Sequence, residues 1–238
     1  EDYKVPAGRI AAAITPRTKL LILNSPSNPT GAVWSQAELE EIARLVRAHP
    51  RMMVLSDEIY EYIVFEARMA SIGTLPGMRE RTITVNGFSK GFAMTGWRLG
   101  FAAAVEPITR AMVRMQGTIT TGANQFVQRA AIAALEGPRD EVERMRLRYQ
   151  ARRDMVLAGL RGIPGVRIGA IPATFYAFLG GAPIVLGSHD VKPDGIGFYI
   201  MAIPGACIVG NYLTTRLARR ISERRIMRLG QALTLGGI

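Results

Sequence analysis

The chain has 238 residues, 48% of them apolar and 21% charged, a globular composition long enough for one large domain or two modest ones with a real core. Its formal charge of +11, from 30 lysines and arginines against 19 acids, raises nucleic acid and anionic membrane surfaces as partners. Much of the excess lies in two helix-like runs, ERMRLRYQARRD (143–154) and RLARRISERRIMR (216–228). Neither has the interleaved aromatics of a single-strand binding platform, so both are expected to be solvated helix faces and no nucleic-acid partner is expected.

Cys207 is the single cysteine and His49 and His189 are the two histidines, which excludes an intrachain disulfide and any zinc cluster. Cys207 is expected to be a buried small hydrophobe, in a reducing, cytoplasmic compartment. The longest apolar run, GFYIMAIPGACIVG (197–210), contains proline and is too short to span a bilayer, so no membrane association is expected. The chain opens on EDYKVPAGRI, with no signal-peptide pattern and no methionine. That start is expected of an internal piece of a longer protein.

Taken in chain order, three apolar runs of strand length end in polar loops: KLLILNSPSNPTG (19–31), RMMVLSDEIYE (51–61) and RTITVNGFSK (81–90). Between the first two, SQAELEEIARLVRAHP (35–50) predicts a helix. Ser35 can cap it, Glu38 completes a capping box, and apolar positions recur at helical spacing. Strand, helix, strand gives a βαβ unit and a parallel sheet. A long helical stretch is expected over 106–161, broken near EGPRDE (136–141), before the turn-rich run 161–185. The expected fold class is therefore α/β, with a domain boundary near residue 150, inside or beside that helical stretch.

In open parallel sheets ligands collect outside the carboxyl ends of the strands, and Asn28, Asp57 and Lys90 all lie just past such ends. Lys90 sits in NGFSKGFAMTGWRLG (86–100), which contains no acidic residue. Each of these residues has a bland reading. Lys90 and Arg98 alone are surface cations, Asp57 a helix cap or turn residue, Asn28 a turn residue before Pro29, and Tyr60 a packed aromatic. Together they match the needs of pyridoxal phosphate. A desolvated lysine loses proton affinity and forms a Schiff base with an aldehyde. A carboxylate such as Asp57 keeps a pyridinium nitrogen protonated, and Arg98 with Ser89 suits a phosphate. Asn28 and Tyr60 suit a phenolic ring oxygen.

NPTG (28–31), SDEIYE (56–61) and SKGFAMTGWRLGF (89–101) resemble the signature blocks of the class I/II aminotransferases, fold-type-I pyridoxal phosphate enzymes, within the aspartate aminotransferase family. The resemblance covers roughly residues 1–180. It implies that Lys90 is the Schiff-base lysine and the base for the 1,3-proton shift, that Asp57 partners the ring nitrogen, and that Tyr60 and Asn28 partner the ring hydroxyl. Arg98 and Ser89 would bind the phosphate, and Asn28 would also lie beside the substrate carboxylate. The implied reaction is ping-pong amino transfer between an amino acid and a 2-oxo acid, in a homodimer. The implied architecture is a partial large domain over residues 1–150, with a mostly parallel sheet flanked by helices. A small α+β carboxy-terminal domain would follow over 151–238, divergent after about 180.

The family's large domain is usually longer at its amino end, where it supplies an aromatic that stacks on the cofactor and further phosphate donors. Near the other end AIPGACIVGNYLTTRLARRISERRIM (202–227) keeps Pro204 and Gly205, and Arg216 matches the arginine that binds the substrate α-carboxylate. Arg219 and Arg220 stand where the family has apolar or small residues. Three other readings stay open: a pyridoxal phosphate-dependent carbon–sulfur β-lyase, a non-catalytic cofactor-binding or sensor domain, and an inactive truncated product.

Overall fold

A computed structural model of the chain describes residues 3–161 and 169–174. A short helix, α1 (Ala7–Ala13), leads into strand β1 (Leu20–Asn24). Helix α2 (Gln36–Ala48) and strand β2 (Met53–Asp57) follow, then strands β3 (Thr82–Gly87) and β4 (Gly100–Ala103). Three helices end the described part: α3 (Glu106–Ile119), α4 (Gln125–Glu136) and α5 (Asp140–Arg161). The sheet order is β1-β2-β3-β4, with β1, β2 and β3 parallel and β4 antiparallel to β3.

The predicted βαβ unit is present, and its local chemistry explains why. Ser35 Oγ accepts from the Glu38 amide at 3.3 Å, and the Ser35 amide donates to Glu38 Oε2 at 2.7 Å. This reciprocal pair satisfies two amide donors that the first turn leaves without intrahelical partners. Lys4 closes the same corner with an ion pair of 2.6 Å to Glu38 Oε1. Helix α2 then buries Leu39, Ile42, Ala43 and Val46, one helical stripe, against Leu23, Met52, Val54, Ile72, Leu75 and Met78. Each large side chain fully buried there contributes about 1.5–3 kcal/mol relative to exposure.

Three features differ from the sequence expectation. The helical stretch after residue 106 is broken twice, at Thr120–Asn124 as well as near residue 137, because Asn124 caps α4 by accepting from the Phe126 amide at 3.1 Å. Strand β4 was not expected. It is short, and its residues are all exposed, so it lacks the buried apolar alternation that marks a strand in sequence. The basic run 143–154 is a helix face, but Arg153 within it is buried. Its guanidinium pairs with both carboxylate oxygens of Glu66 and donates to the Ile171 carbonyl at 2.7 Å. The other basic run, 216–228, lies outside the described residues, as do Cys207 and His189.

Residue 150 falls within helix α5, and the described residues all belong to one compact unit. Among the described residues no helix is long and apolar enough to cross a membrane.

Candidate active site

The parallel register sets the strand ends side by side. Asn24 at the end of β1 is opposite Asp57 at the end of β2, and Asp57 is opposite Val85 in β3. Because β4 runs antiparallel, with Gly100 opposite Gly87, its first residue lies at the same edge. The loop 88–99, which joins β3 to β4, therefore leaves from and returns to the edge where β1 and β2 end. Four predicted residues or groups come to this edge: Asn28, the Asp57–Tyr60 turn, Ser89 with Lys90, and Arg98.

Asp57 is half-buried, and its Oδ1 accepts from the Ile59 amide at 3.3 Å while its carbonyl accepts from the Ser25 amide at 3.0 Å. These bonds hold the carboxylate at the strand end and begin the turn that carries Tyr60. Tyr60 is buried, and the Lys90 ammonium stands 5.8 Å from the centroid of its ring, within reach of a cation–π attraction. Ser89 and Lys90 are half-buried, with the loop folded by bonds from the Ala93 amide to the Lys90 carbonyl and from the Met94 amide to the Phe88 carbonyl. Arg98 is exposed, and its guanidinium donates to the Thr95 carbonyl at 3.1 Å. Both Ala93 and Arg98 have positive φ, 53° and 54°. Non-glycine residues in that region carry strain of the kind that gathers at functional sites.

Asn28 is exposed in the loop after β1, and its amide donates to Asn24 Oδ1 at 2.6 Å. Asn24 was not among the expected site residues, yet it shapes the NPTG turn. The available signal was an amide side chain at a strand end just before a proline-rich loop. Gly31 in that turn has φ +71°, and a β-carbon there would lie 2.5 Å from the Ala173 carbonyl oxygen. Gly31→Ala should therefore cost about 1–3 kcal/mol of stability through backbone strain alone, read as a lower urea midpoint. The segment that Gly31 abuts is itself tied to the site. The Thr174 amide donates to the Ile63 carbonyl and the Phe65 amide to the Pro172 carbonyl, and Val64 bridges to Ala173. Arg216 lies outside the described residues.

The chain matches the family Aminotransferase class I and II over residues 1–194. The chain belongs to the class I and II aminotransferases. It is 41% identical over 201 residues to a bifunctional aspartate aminotransferase and glutamate/aspartate-prephenate aminotransferase of Petunia hybrida, covering 83% of this chain and 41% of that protein. Similarity to an aspartate aminotransferase of Rhizobium meliloti is 40% over 195 residues, or 81% of this chain and 47% of the relative. Among solved structures, an aromatic aminotransferase from Pyrococcus horikoshii matches with TM-score 0.67 at 45% identity, covering 72% of this chain and 46% of the other. The aminotransferase chain thus spans under half the length of these relatives.

The acid that follows Asp57 in the SDEIYE motif is held differently. Glu58 is buried, and its Oε1 accepts from Ser56 Oγ at 2.9 Å and from Ser71 Oγ at 2.6 Å. Burial pushes its carboxyl above the ordinary range, the two serine bonds oppose the shift, and the charges of Glu61 and Asp57 add to it. The raised folded-state pKa means that the stability Glu58 contributes is full below its unfolded pKa and is lost as pH rises through the folded value. Glu58→Gln keeps an acceptor for both serines without the charge. Its melting temperature should therefore gain on that of the parent chain as pH rises from 4 to 7, and a constant gap would refute the assignment.

Proposed function

We propose that this chain carries the cofactor-binding half of a pyridoxal phosphate-dependent aminotransferase that moves an amino group between an amino acid and a 2-oxo acid. The observation that carries this reading is the Lys90 ammonium facing Tyr60, on the loop that leaves the same sheet edge where Asp57 ends β2. Family membership implies pyridoxal phosphate, and the donor set at this edge fits it. One amine, one carboxylate, a phenol, an amide, a hydroxyl and a guanidinium answer to an aldehyde, a cationic ring nitrogen, a ring hydroxyl and a phosphate.

Lys90 would hold the cofactor through its Nζ and carry the proton to and from the substrate α-carbon. Asp57 would hold a proton on the ring nitrogen. Tyr60 and Asn28 would orient the ring hydroxyl, and Asn28 would also meet the substrate carboxylate. Ser89 and Arg98 would bind the phosphate, the guanidinium having donors beyond the one on Thr95. When bound, the cofactor supplies an electron sink for negative charge that develops at the substrate α-carbon. Arg216 is assigned to the substrate α-carboxylate from its motif alone. Residues 1–150 would supply the cofactor-binding segment and 151–238 a smaller domain, and the assembled enzyme would be a homodimer. The named activities of the relatives support aspartate or an aromatic amino acid as donor.

The test is the absorption spectrum of the 238-residue chain mixed with pyridoxal phosphate and gel-filtered. A visible band that stays with the protein and falls on adding aspartate or phenylalanine is expected. A spectrum identical to free pyridoxal phosphate, with no band in the protein fraction, would overturn the proposal. A band indifferent to every amino acid would favour a binding-only domain.

A further inference from the structure

The loop that carries Lys90 does not lie against the sheet edge by its own hydrogen bonds alone. Gly91, the next residue, is in backbone contact with Tyr62, because a β-carbon on Gly91 would lie 2.4 Å from Tyr62 Cδ2 and 3.0 Å from Tyr62 Cβ. Phe92 meets the same ring edge-on, with centroids 5.2 Å apart and planes at 68°, and tilts against Phe88 at 5.4 Å. The Arg139 guanidinium, from the corner between α4 and α5, stands over both rings, 5.4 Å from the Tyr62 centroid and 5.2 Å from that of Phe92. A cavity of about 470 Å³, lined by Gly91, Phe92, Ala133, Pro138 and Val142 among others, separates much of that corner from the loop.

Tyr62 stands two residues after Tyr60, and the Ile63 amide donates to the Tyr60 carbonyl at 2.8 Å, so Tyr60 and Tyr62 belong to one hydrogen-bonded turn. Gly91 and Phe92 likewise follow Lys90 directly. The Tyr62 ring is thus wedged between the turn that presents Tyr60 and the loop that presents Lys90. Edge-on aromatic pairs and a cation over their faces have preferred geometry as well as attraction, so the wedge sets a spacing rather than merely filling space.

We propose that Tyr62 and Arg139 are positioning residues, which fix the Lys90 loop against the Asp57–Tyr60 turn without touching substrate or cofactor. The role in catalysis rests on the aminotransferase reading above, while the packing itself does not. Phe92 belongs to the same unit as the surface that Tyr62 and Arg139 grip. The Tyr62 phenol also takes part, accepting from the Arg139 guanidinium and donating to the Glu61 carboxylate, so ring and hydroxyl both hold the wedge. A guanidinium is flat and stacks, whereas an ammonium only attracts, so lysine should replace Arg139 in part.

Two readouts on the 238-residue chain test this. Hydrogen exchange of the Ala93 and Met94 amides reports the closed loop directly. Arg139→Ala should raise both rates about two- to fivefold and Tyr62→Ala about tenfold or more, with the amides of α2 unchanged. The second readout is the rate at which pyridoxal phosphate is fixed on Lys90 by borohydride, followed by the mass of the peptide that contains residues 88–94. It should fall in the same order, with Tyr62→Phe, which keeps the ring but loses the hydroxyl's bond to Arg139, between parent and Tyr62→Ala, and Arg139→Lys between parent and Arg139→Ala. Exchange that does not change in Arg139→Ala and Tyr62→Ala overturns the packing claim. Raised exchange with an undiminished fixation rate overturns the positioning role. If Tyr62→Ala fails to fold, Tyr62→Phe and the two Arg139 variants still decide. A parent chain that fixes no pyridoxal phosphate at Lys90 defeats the aminotransferase reading instead, and with it the catalytic half of this proposal, while the exchange rates still decide the packing half.

Discussion

Lys90→Ala is expected to abolish the protein-bound visible band and all borohydride-stable attachment of pyridoxal phosphate to the 88–94 peptide. The chemical reason is that attachment needs an amine at that position, and alanine has none. Lysines elsewhere, such as Lys4, which is engaged with Glu38, and Lys19 at the far end of β1, are not at the strand-end edge. The fold should survive, because Lys90 is half-buried in a loop whose shape depends on the backbone bonds of Phe88, Lys90, Ala93 and Met94. A melting temperature close to the parent's, with the band gone, is therefore the expected pair of results. The same band in Lys90→Ala as in the parent would mean that another lysine is modified, and the assignment would fall.

Asp57→Asn is expected to slow the first half-reaction with an amino acid by about a hundred- to a thousandfold in single turnover, about 2.7–4 kcal/mol. Asparagine has the shape of aspartate, and its own Oδ1 can still accept from the Ile59 amide, as Asp57 Oδ1 does at 3.3 Å. The strand end and the Tyr60 turn should stay in place. What is lost is the negative charge that would keep a proton on the ring nitrogen. Retention of the cofactor through gel filtration should weaken as well, though less than in Lys90→Ala. A single-turnover rate within threefold of the parent would show that Asp57 is only a turn residue at the end of β2.

Much of the core was legible from residue order. The Ser35–Glu38 capping box, the apolar stripe of α2 and the β-branched run into Gly87 are local patterns, and each appears where its pattern predicts. Strand β4 and α1 were not legible, because both are short and neither contains a fully buried residue. Arg153 reads as one more arginine on a charged helix. Only its approach to Glu66 and the Ile171 carbonyl, distant in sequence, makes it a buried ion-pair anchor, and no local periodicity can announce a partner that far away.

The candidate site divides in the same way. Its chemical types, the Lys90 amine, the Asp57 carboxylate and the Arg98 guanidinium, were determined by the sequence itself, since the motifs that carry them need no fold to be recognised. The parallel order of β1, β2 and β3 could also be argued from strand–helix–strand alternation, and with it the gathering of strand ends at one edge. The tertiary structure alone decided how those groups are held. It set the Lys90 ammonium over Tyr60, Glu58 beneath the turn between Ser56 and Ser71, Gly31 against the Ala173 carbonyl, and Tyr62 between Gly91 and Arg139. Apart from the local Ser56–Glu58 bond, these are contacts between segments more than ten residues apart, with spacing set by side-chain volume and ring geometry, and a linear pattern contains neither.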